Sequence, residues 1–192
     1  MINCSSCNKQ AIYYADHFGK KFCERHFEKY LVAKLRRELY KVKIISPKDN
    51  ILFKLDGGLN SIGALLLFVN ATEKWNINVF VENETGLEKV NVIKFDGQKI
   101  DKTVYPEFLQ DRVNNILKGL MSGKKKYAWG VDGAAIRPFL SFSGKELATY
   151  ALLQGFTAKN VVDPELSTIS QNISVALALN FIRAYEKLET EF

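Results

Sequence analysis

Apolar residues recur every three or four positions in the segment that begins at Phe27. This spacing places them on one face of an α-helix and leaves the charged positions on the other faces. Pro47 is expected to mark the end of this helical region and a short linker, because proline cannot continue an α-helix. The predicted buried stripe consists of Phe27, Leu31, Leu35, Leu39 and Val42.

A nearly continuous apolar run at 51–55 has the pattern of a buried parallel strand. It leads through Gly57 and Gly58 into a second helical pattern at 62–75. The order strand, glycine loop, helix is the opening of a βαβ unit.

The remainder of the chain continues to alternate between the two patterns, which predicts an α/β fold with a Rossmann-like parallel sheet. Ser143 and Glu146 have the spacing of a helix capping box, and Gly155 is expected to stop that helix. We predict two parts, a metal module with a basic helix at 1–48 and an α/β domain at 49–192. Further strands are predicted at 77–81, 90–95 and 127–131, a turn at 82–86, and further helices at 106–121 and 164–188.

Charge is concentrated at the N-terminus. Residues 1–48 hold 11 Lys and Arg against four Asp and Glu, a net charge of +7, whereas residues 49–192 hold 16 against 17, a net charge of −1. A local positive surface of this kind is typical of nucleic-acid binding, although a solvated helix face is the commoner origin of a charge run. The candidate RNA-contacting residues are Lys34, Arg36, Arg37, Lys41 and Lys43.

The apolar runs are all too short to cross a bilayer, and the polar N-terminus lacks the apolar core of a signal peptide. We therefore expect a cytoplasmic protein with no membrane partner. The 47% apolar and 12% aromatic fractions indicate a folded chain and exclude a low-complexity one.

All three cysteines lie in the first 23 residues, an odd and tightly clustered set that does not suit a disulfide framework. Cys4 and Cys7 form one pair of ligands three residues apart, and Cys23 and His26 form a second. Two such pairs can close a tetrahedron around a structural Zn²⁺ ion. His17 competes with His26 as the fourth ligand, and three incidental thiols are the alternative interpretation. Four aromatic residues are expected to form a small core around the metal in preference to a base-stacking platform: Tyr13, Tyr14, Phe18 and Phe22.

The two ligand pairs, the basic helix and the strand with its glycine loop together resemble the start of the tRNA 2-thiolation enzymes of the PP-loop ATPase class. In that family the loop reads Ser-Gly-Gly-x-Asp-Ser and cradles the pyrophosphate of ATP. Here residues 56–61 read Asp-Gly-Gly-Leu-Asn-Ser, so that Gly57, Gly58 and Ser61 match. The segments 136–139 and 145–151 are similar to two later family segments. The resemblance covers about residues 1–155 and implies a PP-loop (HUP-type) fold.

Asp56 and Asn60 depart from the family loop. A carboxylate at Asp56 replaces a neutral donor and repels phosphate, and the loss of the acid at Asn60 weakens a magnesium site, so both changes count against binding of ATP and Mg²⁺. No cysteine follows Cys23 to carry sulfur or to ligate a cluster in the α/β domain. We therefore expect structural zinc and no iron–sulfur cluster.

These features favour a non-catalytic relative of the tRNA thiolation enzymes that binds tRNA and pairs with an active homologous subunit or with itself. No catalytic residue is assigned, and enzymatic activity is left open. One alternative is an ATP-dependent adenylating enzyme that acts on tRNA and uses a divergent loop made of Asp56, Gly57, Gly58, Asn60 and Ser61. The other is a stand-alone zinc-dependent RNA-binding protein.

Overall fold

A computed structural model describes residues 2–42, 45–82, 87–122 and 131–157, together with the helical positions 177, 178, 180 and 182. Most of the predicted turn at 82–86, strand at 127–131 and helix at 164–188 lies outside these residues, as does Lys43.

The N-terminal part is a short β-ribbon followed by a long helix. Strand β1 (Tyr13–Ala15) pairs antiparallel with β2 (Lys20–Phe22), and a 3₁₀ turn at Asp16–Phe18 joins them. Gly19 closes this turn at φ 67°, a left-handed conformation that glycine adopts without strain. Helix α1 (Glu24–Val42) follows.

Helix α1 buries the first four residues of the predicted stripe. Phe27, Leu31 and Leu35 are fully buried, and Leu39 is 3% exposed. They belong to the same hydrophobic core as Phe53 and residues of the sheet and of the other helices. The basic helix is therefore a structural part of the α/β core, and the division at residue 48 stays a prediction.

The second part is a layered α/β fold, as predicted. The strands line up in the order β5, β4, β3, β6, β8, β7, and every neighbouring pair is parallel except β7 with β8. Its elements are β3 (Asn50–Phe53), α2 (Leu59–Thr72), β4 (Asn78–Val81), β5 (Ile93–Lys94), β6 (Lys102–Val104), α3 (Leu109–Ser122), β7 (Val131–Asp132), β8 (Ala135–Ile136) and α4 (Gly144–Leu153).

The order in which strands are added to the sheet reverses at β3. It adds β4 and β5 on one side of this strand and then crosses to place β6 on the other side. In open α/β sheets this switch point, at the carboxyl ends of the strands, is where ligands bind. The glycine loop that follows β3 is therefore placed where a nucleotide-binding loop belongs.

Helices α2 and α4 cross in very close contact. A Cβ atom added to Gly63 of α2 would lie 2.0 Å from the backbone oxygen of Leu147 in α4. Only glycine fits this crossing without moving a helix. The predicted capping box begins α4, with the Ser143 side chain accepting the Glu146 N–H at 3.1 Å and Glu146 accepting the Ser143 N–H at 2.8 Å.

Two strands of the six-stranded sheet were absent from the sequence prediction, as were β1 and β2 of the ribbon. Strands β6 and β8 are three and two residues long, and each is too short to show an alternation of apolar and polar residues. They are specified by pairing with their neighbours in the sheet. Among the described residues, the helices include none that is long and apolar enough to cross a membrane.

Candidate functional site

The structure brings the four predicted metal ligands together. Cys4 and Cys7 lie in the loop before β1, Cys23 directly follows β2, and His26 lies in the first turn of α1. The His26 Nδ1 atom is 3.5 Å from the Sγ atoms of Cys4 and Cys7 and 3.4 Å from that of Cys23. The Sγ atoms of Cys7 and Cys23 are 3.7 Å apart.

These separations fit four ligands around one metal ion. A tetrahedral ion with bonds of about 2.3 Å to sulfur and 2.0–2.1 Å to nitrogen separates its ligand atoms by roughly 3.5–3.8 Å. Among the described residues the group that can hold a metal contains His26 and not His17. His17 instead packs edge-on against Phe18, with 4.2 Å between ring centroids.

The surroundings of Cys4 favour the thiolate that a metal requires. Burial raises the pKa of this thiol, but hydrogen bonds from the backbone of Cys23, Ser6 and Cys7 outweigh it and lower the pKa to about 6. The Ser6 N–H lies 3.4 Å from the Cys4 sulfur. Cys7 differs: a backbone hydrogen bond from Lys9 lowers its pKa, yet burial and the neighbouring thiols of Cys23 and Cys4 raise it overall. A cation at the centre would relieve this crowding of negative charge.

The glycine loop after β3 is closed on its own acid. Gly57 has a φ of 81°, and the loop turns there into α2. The Asp56 Oδ1 atom accepts the Gly58 N–H at 2.7 Å and also accepts the hydroxyl of Ser61. Ser61 is fully buried, and its hydroxyl lies 2.9 Å from the Gly58 carbonyl oxygen. The Asp56 carboxylate thus uses the donors of Gly58 and Ser61, two of the residues that match the family loop.

Further carboxylates surround this edge of the sheet, and sequence reasoning missed them. Burial raises the pKa of Asp111, and although the hydrogen bond from Phe108 lowers it, the charges of Glu107 and Asp56 raise it further. Arg137 Nε donates to Glu107 Oε1 at 2.8 Å and is thereby engaged. No local pattern identifies these acids, because they converge only through the order of the strands. Asn60 is directed elsewhere, with its amide nitrogen against Gly144 at the start of α4.

Two of the predicted RNA-contacting residues point into the protein. Lys34 Nζ lies 3.0 and 2.9 Å from the two carboxylate oxygens of Glu146, and the side chains are 12% and 2% exposed. Tyr30 donates to the same carboxylate at 2.9 Å. Arg36 Nε donates to the Ala71 carbonyl oxygen at 2.9 Å, near the C-terminal end of α2. The prediction that Lys34 and Arg36 belong to the exposed basic surface is therefore wrong, because both side chains are engaged inside the protein.

A row of cations does face solvent along α1. Its members are Arg25, Lys29, Arg37 and Lys41, with Ala33 in the gap, and all five positions are exposed. They recur every four residues, so successive members are neighbours in a row that winds slowly around the helix. Lys41 also pairs with Glu38 at 3.0 Å. Arg37 and Lys41 were predicted as candidate contacts, whereas Arg25 and Lys29 were not.

The aromatic residues of the metal module divide between core and surface. Tyr13 and Phe22 are 8% and 6% exposed, and Tyr13 stacks on Phe27 with 4.3 Å between ring centroids. Tyr14 and Phe18 are 49% and 40% exposed. The prediction of a core role is therefore confirmed for the first pair and wrong for Tyr14 and Phe18, because β-strand alternation turns Tyr14 to the opposite side of the ribbon.

Comparison with known proteins identifies the fold. No protein-family model and no curated protein sequence matches the chain. Among solved structures, it is similar to the U34-tRNA thiolase NcsA from Methanococcus maripaludis, solved with its [4Fe-4S] cluster. The two share 15% sequence identity at a TM-score of 0.74, over 100% of this chain and 88% of that chain. This chain has the fold of a tRNA thiolase, which confirms the α/β prediction.

The same comparison corrects the cofactor prediction. Zinc with no iron–sulfur cluster was expected, and this exclusion is wrong, because the similar thiolase carries a [4Fe-4S] cluster. Cysteine thiolates ligate iron–sulfur clusters as well as zinc, so Cys4, Cys7 and Cys23 are ligands of a kind that suits either. The four residues are therefore described below as the metal centre, without a named metal.

Proposed function

We propose that this protein is a tRNA-binding relative of the tRNA thiolases that does not itself activate ATP, and that it works beside an active homologous subunit or as a self-dimer. The observation that carries this proposal is the Asp56 carboxylate, which accepts the Gly58 N–H and the Ser61 hydroxyl. The thiolase fold supports the link to tRNA. The division into parts at 1–48 and 49–192 belongs to the same proposal.

The loop chemistry argues against pyrophosphate binding. A phosphate loop works through free backbone N–H groups at a helix N-terminus, where negative charge is stabilised. Here an internal anion already accepts from Gly58, so that pyrophosphate must displace Asp56 or lie next to it. Two unit charges 4 Å apart repel by about 4 kcal/mol at an effective dielectric constant of 20. A penalty of this size weakens binding by about a thousandfold.

The exposed row on α1 supplies an RNA surface. Arg25, Lys29 and Arg37 are exposed along this row, on a helix that the buried stripe holds against the core. Contacts of such side chains with phosphate give affinity that does not depend on sequence and falls with salt. The net charge of +7 in residues 1–48 favours a polyanionic partner.

The metal centre gives this surface a fixed position. His26 lies within α1, and Cys23 immediately precedes the helix. A bound ion therefore ties the N-terminal loop and the ribbon to the start of the basic helix. Because such sites do not exist in the unfolded chain, metal binding contributes directly to folding.

Calorimetric titration with Mg-ATP tests the loop. The wild-type protein is expected to give no binding heat at millimolar ATP, whereas Asp56→Ser, which restores the family residue, is expected to bind. Asp96→Ser is the matched control, because it removes the same charge from an exposed loop elsewhere. Micromolar binding of ATP by the wild type would overturn the proposal and favour the adenylating enzyme.

Fluorescence anisotropy with labelled tRNA at increasing salt tests the surface. Replacing Arg25, Lys29 and Arg37 by alanine removes three candidate phosphate contacts. The negative slope of log affinity against log salt should therefore become shallower by about 2–3. The matched control replaces the exposed lysines Lys89, Lys94 and Lys99, which carry the same charge outside the N-terminal part. Equal loss in both triple variants, or no tRNA binding by the metal-loaded wild type, would contradict the proposal.

One observation favours the enzymatic alternative. The positive φ of Gly57 and the entry into α2 keep the backbone course of a phosphate loop. The Mg-ATP titration separates the two functions. A stand-alone RNA-binding role differs in its lack of a homologous partner, which co-purification and sedimentation with a thiolase subunit would show.

A further inference from the structure

Exposed apolar side chains are concentrated in the metal module. Eight large hydrophobic residues are exposed within the described parts of the chain, and four of them lie in the first 18 residues. These four are Ile2, Ile12, Tyr14 and Phe18, at 59%, 46%, 49% and 40% exposure. A folded module that buries Tyr13 and Phe22 while it exposes neighbouring side chains offers a contact surface.

Tyr14 lies opposite a lysine on the ribbon. It pairs in register with Lys21 across β1 and β2. Side chains that are directly opposite in an antiparallel pair lie on the same face, with Cβ atoms about 4.5–5.5 Å apart. Ile12 is two residues before Tyr14, and its backbone N–H donates to the Phe22 carbonyl oxygen at 2.8 Å, so it belongs to the same ribbon face. This face, made of Ile12, Tyr14 and Lys21, is called the ribbon face below.

The backbone beneath the ribbon face is held in place. The Lys21 N–H donates to Ser5 Oγ at 2.9 Å, and the Ser5 N–H donates to the Lys21 carbonyl oxygen at 2.8 Å. Ser5 lies between the metal ligands Cys4 and Cys7, so the metal centre and the ribbon face share one backbone network. Binding to this face therefore requires little ordering of the main chain.

We infer that the ribbon face is a stacking site for an unpaired RNA base, with the Tyr14 ring against the base and the Lys21 ammonium at the adjoining phosphate. This inference rests on the proposed function and adds that the module reads single-stranded nucleotides. An exposed aromatic ring beside a cation is the combination that single-strand binding proteins use, since every base presents a π-face.

The local charge favours RNA over a protein partner. Residues 2–23 carry Lys9, Lys20 and Lys21 against the single acid Asp16. A purely apolar docking surface would not need this excess of cations, whereas a strand of phosphates complements it. The exposed row on α1 begins at Arg25, directly after the module, and extends the positive surface.

The test measures anisotropy of a labelled 12-nucleotide oligouridylate and of a 12-base-pair RNA duplex with the metal-loaded full chain. Tyr14→Ala should weaken binding of the oligouridylate about 5-fold or more, because stacking of one base on an aromatic ring contributes at least this factor. Tyr14→Phe keeps the ring and should bind within about 2-fold of the wild type. Duplex binding should be unchanged in both variants. Ile93→Ala, at a site 44% exposed on β5, is the matched surface control.

The outcomes separate this inference from the function on which it rests. Unchanged oligouridylate binding by Tyr14→Ala, together with loss of tRNA binding in the α1 triple variant, overturns the stacking site and leaves the proposed function standing. Absence of RNA binding by the wild type overturns both. A wild-type dimer that Tyr14→Ala dissociates in sedimentation, with RNA affinity unchanged, assigns the face to a second copy of the chain and also overturns the inference. Equal metal content and circular dichroism in all variants exclude misfolding as the cause.

Discussion

Replacing Gly63 by alanine should destabilise the protein, although the same change stabilises most helices. Alanine is favoured over glycine in a helix interior by about 1 kcal/mol. Here the added Cβ would lie 2.0 Å from the Leu147 oxygen and 2.7 Å from its carbonyl carbon. An ordinary contact needs about 3.5 Å, so α4 must move by roughly 1.5 Å. Overpacking of this kind costs about 1–3 kcal/mol or more, and backbone atoms cannot rotate away. A cost at the upper end of this range, about 3 kcal/mol, less the helix gain of about 1 kcal/mol leaves a net loss of about 2 kcal/mol.

Urea unfolding and thermal melting measure this loss. For a chain of this size, 2 kcal/mol lowers the melting temperature by about 4–8 °C. Gly144→Ala is the control, because its added Cβ would meet the Asn60 amide nitrogen at 2.8 Å, the end of a side chain that can turn aside. Its effect should stay below about 1 kcal/mol. A Gly63→Ala protein as stable as the wild type would refute the close crossing of α2 and α4.

Three further predictions concern buried and metal-binding groups. Lys34→Met leaves the Glu146 carboxylate buried without its cation and should lower the unfolding free energy by about 3 kcal/mol. In urea titrations, the double variant Lys34→Met with Glu146→Gln should recover more than half of this loss. A Lys34→Met protein as stable as the wild type would contradict the pairing. The pKa of Asp111 is raised, chiefly by burial, so its contribution to stability is present below the ordinary carboxyl pKa of 3.8 and is lost as pH rises through the raised value. Asp111→Asn should therefore gain stability relative to the wild type as the pH rises above the ordinary carboxyl pKa of 3.8, and a difference independent of pH would refute this assignment. Cys23→Ser should lose the bound metal, as measured by analysis for zinc, iron and acid-labile sulfide; full retention would remove Cys23 from the ligand set.

The group of metal-ligand residues and the glycine loop were predictable from sequence because their patterns are local. Two pairs of ligands three residues apart, and a glycine pair between a strand and a helix, are visible within a few positions. The stripe from Phe27 to Leu39 was predicted for the same reason, since helical periodicity depends only on neighbours.

What sequence reasoning missed depends on distant contacts. Lys34 was assigned to the surface because a lysine in a basic helix is usually solvated, yet its partner Glu146 lies 112 positions away in α4. Glu146 itself was predicted only as a capping residue, whereas it both caps α4 and pairs with Lys34. The charges of Glu107 and Asp56 both act on Asp111, and this proximity follows from the strand order, which the local sequence does not reveal. Tyr14 was misplaced because two tyrosines in succession cannot both face the core of a ribbon.

The larger hydrophobic core, which contains residues of α1 and of the sheet, limits how this protein can be divided. Phe27, Leu31 and Leu35 are fully buried in the same core that contains Phe53 and Phe68. A truncation before β3 would remove the helix that packs on α2 and α4, and a graft of the first 42 residues onto another protein would expose the helix's own apolar stripe. The N-terminal segment is consequently not an independently folding module that can be transferred to another protein. Single metal ligands can be substituted without touching the core, whereas α1 cannot be removed without exposing the apolar residues that pack against it.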